Sequence, residues 1–206
     1  YLLPRILADF VREYPEVEVQ VRIANTEEIG QMMLNHRLDI GLVEGRLEER
    51  RLLVTPFLED EMLLLAAPDH PLAGNEVVSA EDLAQETFVM REAGSGTRVV
   101  AEAALARIGL PLMQTQASPR KQLVISSTHA IKELVERGVG LTLLSKWCVQ
   151  KERQYGTLVP LQTGAGQFTR PLAIVEREQQ FLTRTVQAFR ERVVAFGERE
   201  EEGIRS

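Results

Sequence analysis

The chain is poor in the residues that staple or metallate a fold: it has one cysteine, Cys148, and three histidines, His36, His70 and His129. A single thiol excludes an internal disulfide and any cysteine metal cluster, and it fits a reducing cytoplasm. The histidines fall at no ligand spacing, so no metal site is expected. Cys148 stands beside Trp147 in an apolar run, which reads as packing rather than as a nucleophile. No run of about 18 apolar residues occurs, and the opening Tyr1-Leu2-Leu3-Pro4-Arg5 has neither the basic tip nor the apolar stretch of a signal peptide. Nothing is therefore expected to span or cross a membrane. An initiator methionine is also missing, so the expectation is a fragment or processed product with room for a partner domain upstream. Basic excess is absent too: 24 Lys and Arg face 30 Asp and Glu, and residues 1–65 hold 7 of the former and 13 of the latter. This piece is not expected to grip nucleic acid itself, since that needs a basic face against the phosphates.

What is present is an alternation of helical and strand-like patterns. Leu2, Leu3, Ile6, Leu7, Phe10 and Val11 mark one face of a helix ending near Tyr14-Pro15, and Val17, Val19, Val21 and Ile23 then alternate as a strand. Thr26 opens a second helix, followed by a short buried strand at 38–43. Two extended runs, 52–58 and 62–67, lead to a turn at Pro68-Asp69-His70-Pro71-Leu72. A second alternation begins there: strand 88–90, helix 97–108, strand 112–117, helix 128–137, strand 140–144 and a helix from about Lys146. Strands at 158–161 and 170–175 follow, then a long amphipathic helix over 181–196 and a charged tail expected to fray. The pattern predicts an α/β fold with parallel sheets and helical crossovers, in two Rossmann-like lobes joined by two crossover strands. Lobe I takes residues 1–67 and 163–206, with both chain ends, and lobe II takes 68–162.

Three strand-to-helix junctions carry the chemistry. The richest is Met90-Arg91-Glu92-Ala93-Gly94-Ser95-Gly96-Thr97-Arg98. A helix start offers free N–H groups and the positive end of a dipole, which attract carboxylate, sulfate or phosphate. Gly94 and Gly96 allow close approach to the backbone, Ser95 and Thr97 add hydroxyls, and Arg98 adds charge. Asn25-Thr26 and Ser126-Ser127-Thr128 repeat the arrangement. Three such starts facing one interlobe cleft suit an oxyanion, each charge-assisted hydrogen bond contributing roughly 1.5–3 kcal/mol. Two plainer readings stand beside this one. Ser95 serves as an ordinary helix cap, and Glu27 and Glu28 already complement the dipole of the helix that Thr26 opens.

The order of motifs resembles the effector-binding domain of LysR-type transcriptional regulators along the whole chain. The residues that carry it are Tyr1 to Arg5, Phe10 to Pro15, Leu38 to Val43, Pro68 to Ala73, the Gly94-Ser95-Gly96-Thr97-Arg98 loop and Val139 to Leu144. The resemblance implies a fold like type 2 periplasmic binding proteins, an effector in the interlobe cleft, and an upstream winged helix-turn-helix domain that this chain lacks. It implies effector contacts at Asn25, Thr26, Gly94, Ser95, Gly96, Thr97, Ser127 and Thr128, with Thr142 near the floor of the site. His129 departs from the family branch, where Glu is common, and a histidine there would make an anion more welcome. The branch suggests inorganic oxyanions or phosphorylated or carboxylated metabolites as effectors, with no cofactor. It also implies a cytoplasmic homodimer, or a tetramer when full length, that meets DNA only through the missing domain. In that dimer, the helix of residues 2–14 and its adjacent strand would meet the helix of residues 97–108 of the other subunit. Two other functions are weighed. A solute-binding protein of a transport system would share the fold. An enzyme using Ser95 or Cys148 has no visible base and no G-x-S-x-G elbow.

Overall fold

The computed structural model describes residues 1–110, 121–179 and 181–205, so the strand expected at 112–117 lies outside the described residues. The chain divides into two compact units: Tyr1–Glu59 with Pro171–Ser206, and Asp60–Arg170. Both passages from one unit to the other lie inside strands, β2 (Leu52–Ala66) and β7 (Phe168–Arg177). The sequence pattern put them at 67/68 and 162/163, beside turn residues. It also split β2 into two runs, because Glu59-Asp60-Glu61 reads as a polar break. The strand runs on through these residues, and Asp60 within them is fully buried.

The first unit contains α1 (Leu3–Glu13), α2 (Thr26–Leu34), β1 (Gly41–Glu44), the start of β2, the end of β7 and α7 (Arg184–Arg205). Pro4 stands in the first turn of α1, where its missing N–H costs nothing. The helix buries Ile6 and Phe10, and the Phe10 ring meets Phe189 of α7 edge-on at 5.2 Å between centroids. β1 pairs antiparallel with β7, from Gly41 opposite Val175 to Glu44 opposite Leu172. Ile29 and Met33 of α2 pack there against Val43, Leu52, Ala173 and Val175.

Residues 17–23 depart from the expectation. They form no assigned strand, and Val19, Val21 and Ile23 are exposed. Alternation marks which side chains share a face, but a ladder also needs a partner edge. The last helix departs as well. It begins at Arg184, leaving Phe181 almost wholly exposed, and it continues through the charged tail rather than ending near 196.

The second unit contains the rest of β2, α3 (Ala80–Ala84), β3 (Phe88–Met90), α4 (Gly96–Arg107), β4 (Gln122–Val124), α5 (Thr128–Glu136), β5 (Thr142–Ser145), α6 (Gln150–Tyr155), β6 (Val159–Pro160) and the start of β7. α6 starts four residues later than the sequence pattern places it. The apolar run from Met62 is buried on both faces. Leu64 and Ala66 join Phe88, Met90, Ala101 and Leu105, whereas Leu65 joins Val89, Ile131, Val135 and Leu144. The expected parallel pairing is seen for β3 with β4 and in an isolated parallel bridge from Phe88 to Leu141. β2 pairs antiparallel with β5 and β6, because the long crossing strand brings an edge of opposite direction into the sheet.

β5 is drawn against β3 by a close backbone approach. Gly140 has φ +139°, and a Cβ there would lie 2.2 Å from the Thr87 carbonyl oxygen. Leu141 N–H donates to that oxygen, and Val89 N–H donates to Leu141 O, each at 2.8 Å.

Candidate functional site

In the parallel pair, Met90 stands opposite Val124, and Ile125 N–H donates to Met90 O at 2.8 Å. Two parallel strands ending at one level send their following loops out of the same edge. The starts of α4 and α5 therefore both lie at the carboxyl edge of this pair, the usual place for ligands in parallel sheets.

The α4 start is open in its chemistry. Ser95 occupies the N-cap position, yet its hydroxyl makes no capping bond, and no acid stands in the first turn. The plainer reading of Ser95 as an ordinary side-chain cap is thereby corrected. Its hydroxyl is not tied to the first-turn N–H groups that a capping serine satisfies. Gly94, at φ +82°, turns the chain into the helix, and Gly96 and Thr97 are buried beside Ser95.

Behind Thr97 lies a buried chain of polar groups. Arg170 Nη1 donates to Thr97 Oγ1 at 2.9 Å, and Arg170 Nε donates to Asp60 Oδ2 at 2.8 Å. Ser145 Oγ donates to Asp60 Oδ1 at 2.8 Å and accepts from Trp147 N–H at 3.1 Å. Arg170 and Asp60 are essentially inaccessible, with side chains 1% and 0% exposed. A guanidinium near the positive end of a helix is unfavourable by itself, so the paired Asp60 is what makes that position tenable. Because Thr97 Oγ1 accepts from Arg170, its own proton points away from that guanidinium.

The α5 start is half committed. Ser127 caps Ala130 N–H at 3.3 Å, and no acid stands in the first turn. Thr128 Oγ1 accepts from Arg91 Nη1 at 3.1 Å, so Arg91 ties the end of β3 to the start of α5. His129 is exposed. Thr142 is buried and gives its hydroxyl proton to Val89 O at 2.8 Å, which fastens β5 to β3.

In the first unit the α2 start is closed on itself. Asn25 accepts from Glu28 N–H at 2.9 Å, and Glu28 accepts from Asn25 N–H at 3.2 Å, a reciprocal capping box. Thr26 is buried and donates its hydroxyl to Glu44 O at 3.2 Å. Glu27 and Glu28 supply two acids in the first turn.

The sequence pattern missed Asp60 and Arg170 as part of this arrangement and gave Arg91 no role of its own. Arg170, a charge within the strand-like stretch Phe168 to Val175, was a signal that a buried partner is needed, whereas Asp60 lay hidden between Glu59 and Glu61. Among the described residues, no group of three or more His, Cys, Asp or Glu is placed to hold a metal ion. No described helix is long and apolar enough to cross a membrane.

Comparison with known proteins agrees with this architecture. The family model described as LysR substrate binding domain matches residues 1–197. The HTH-type transcriptional regulator CysL of Bacillus subtilis is 41% identical over 152 residues, covering 74% of this chain and 48% of that protein. The chain thus spans about half the length of that curated relative. The regulatory domain of CcmR from Synechocystis PCC6803, solved in complex with 2-PG, superposes with a TM-score of 0.83 at 29% identity, covering 96% of this chain and 91% of that one. The effector-binding domain of QuiR, solved with shikimate, superposes with a TM-score of 0.80 at 16% identity over 97% of this chain and 91% of that one, a likeness of fold alone. The fold is that of type 2 periplasmic-binding-protein-like domains.

Proposed function

We propose, from the premise that this chain belongs to the family of LysR substrate-binding domains, that it is the effector-sensing part of a bacterial transcription regulator and that its effector is a small anion. The observation that carries the anion reading is the α4 start, with an uncommitted cap position, no first-turn acid, and Thr97 held by a buried arginine. The principal contacts are Gly94, Ser95, Gly96 and Thr97 at α4, with Ser127 and Thr128 at α5. His129 is a secondary contact, and Thr142 shapes the site from beneath. The 2-PG with which the CcmR regulatory domain was solved is in keeping with an oxyanion.

The domain performs no chemistry. Binding shifts its conformational equilibrium and thereby the arrangement of DNA-binding domains joined to it in the whole cytoplasmic protein, a homodimer or tetramer. A winged helix-turn-helix domain upstream supplies the DNA contact. The relatives matched are transcription regulators rather than transport components, which favours this reading over a solute-binding protein.

A thermal-shift series with sulfate, phosphate, 2-phosphoglycolate, small carboxylates and neutral polyols tests it. A ligand that binds only the folded state raises the melting temperature with concentration. The expected result is a rise selective among the anions and lost in Ser95→Ala/Thr97→Ala. A rise common to every salt and kept in that variant would overturn the anion reading.

A further inference from the structure

We propose that Glu92 is a built-in competitor for the effector's anionic group on Arg91, and that it tunes the site toward anions with more than one negative charge. This rests on the anion-sensing reading and adds to it a specificity determinant and a ligand class.

Arg91 leaves the carboxyl end of β3 with its side chain only 15% exposed. Its planar fork is engaged by its sequence neighbour: Nε donates to Glu92 Oε2 at 2.8 Å and Nη2 to Glu92 Oε1 at 3.0 Å. The remaining arm, Nη1, reaches the hydroxyl that opens α5. The surrounding backbone is fixed independently. Arg98 Nη1 donates to the Arg91 carbonyl at 3.2 Å, and Ser95 N–H donates to the Glu92 carbonyl at 3.4 Å. The Glu92 carboxylate is thus a partly exposed group, 25% accessible, on a loop whose main chain is held.

A two-toothed grip on two oxygens is how arginine binds carboxylate, sulfate or phosphate. Here a side chain of the same loop occupies that grip, beside two helix starts without first-turn acids. A neutral ligand offers the guanidinium no replacement for the carboxylate. A monoanion exchanges one single charge for another and gains little. A dianion gains the additional attraction of both helix starts and better withstands the displaced Glu92 charge nearby. Glu92 therefore acts by rejection, as a specificity device against weakly charged ligands. The ligand class is inorganic dianions or phosphomonoesters.

Calorimetry on the 206-residue chain with inorganic phosphate, sulfate and acetate tests this in wild type, Glu92→Gln and Arg91→Lys. Glu92→Gln keeps the shape and an acceptor for Arg91, and thermal melts of both variants check that they fold. Glu92→Gln is expected to tighten phosphate and sulfate by about tenfold and to admit acetate, narrowing the preference for dianions. Arg91→Lys is expected to weaken phosphate by about tenfold or more, because a point charge replaces the fork. If Glu92→Gln leaves phosphate and acetate unchanged or weaker while Ser95→Ala/Thr97→Ala loses phosphate, the role of Glu92 is overturned and the anion reading stands. If neither wild type nor Glu92→Gln binds any of the three probes, both fall together.

Discussion

The starts of α2 and α4 look alike in sequence, each a small polar stretch leading into an amphipathic helix, yet the structure gives them opposite chemistry. At α2, Asn25 and Glu28 satisfy one another's backbone donors, and Thr26 is tied to Glu44. At α4, Ser95 makes no cap, the first turn holds no acid, and the nearest buried side chains bring a guanidinium to Thr97. A self-capped start is a structural end of a helix. The α4 start has neither a side-chain cap nor a first-turn acid, which is why the proposed anion site is placed there. The short α3 falls on the α2 side of this divide, since Ser79 and Asp82 form a second capping box. What separates the two kinds of start is whether the helix supplies its own negative charge, as α2 and α3 do and α4 does not.

The strongest way to break the comparison is to remove the buried ion pair behind Thr97. Arg170→Met leaves Asp60 as a buried carboxylate without its ion pair, which is expected to cost about 3–5 kcal/mol in urea unfolding. Pairing it with Asp60→Leu should restore much of that loss, because two apolar side chains replace a desolvated pair. A double variant no more stable than Arg170→Met would show that the pair is not the element at work.

A smaller effect comes from making α4 resemble α2. Ser95→Asp/Arg98→Glu installs a carboxylate cap and a first-turn acid, and phosphate affinity is expected to fall by about tenfold or more as an internal charge takes the ligand's place. Asn25→Ala is the counterpart: it should lower stability by about 0.5–2 kcal/mol and change phosphate affinity less. Equal affinity losses in the two variants, measured by calorimetry, would erase the distinction.

The smallest effect is acid sensitivity at a self-capped start. The Ser79 backbone N–H and then its hydroxyl, both donating to Asp82, hold that carboxyl below the ordinary aspartate range. A depressed folded value means that the stabilisation is complete above the unfolded value and is lost as pH falls through the folded one. The melting-temperature gap between wild type and Asp82→Asn should therefore shrink as pH drops from neutral into the acid range. A constant gap would show that the charge at Asp82 does not support α3.

Much of this was legible in the chain. The helical faces of α1, α2, α4 and α5, the loop from Met90 to Arg98, and the acids opening α2 are local features, and local rules read them well. Residues 17–23 misled because alternation cannot say whether a partner edge is present. Phe181 misled because an aromatic at helical spacing can lie just before the helix begins.

By itself the sequence determined the alternating α/β pattern, the absence of an internal disulfide and the small polar helix starts, since these depend on composition and on residues within a few positions of one another. The Asn25–Glu28 box and the lack of a first-turn acid at α4 are local, and only the tertiary structure decided which distant groups stand behind each start. Arg170 meets Asp60 across 110 positions and Thr97 across 73, and Arg91 meets Thr128 across 37. Pairings at that range are set by how the strands return through the fold, and no local propensity encodes them.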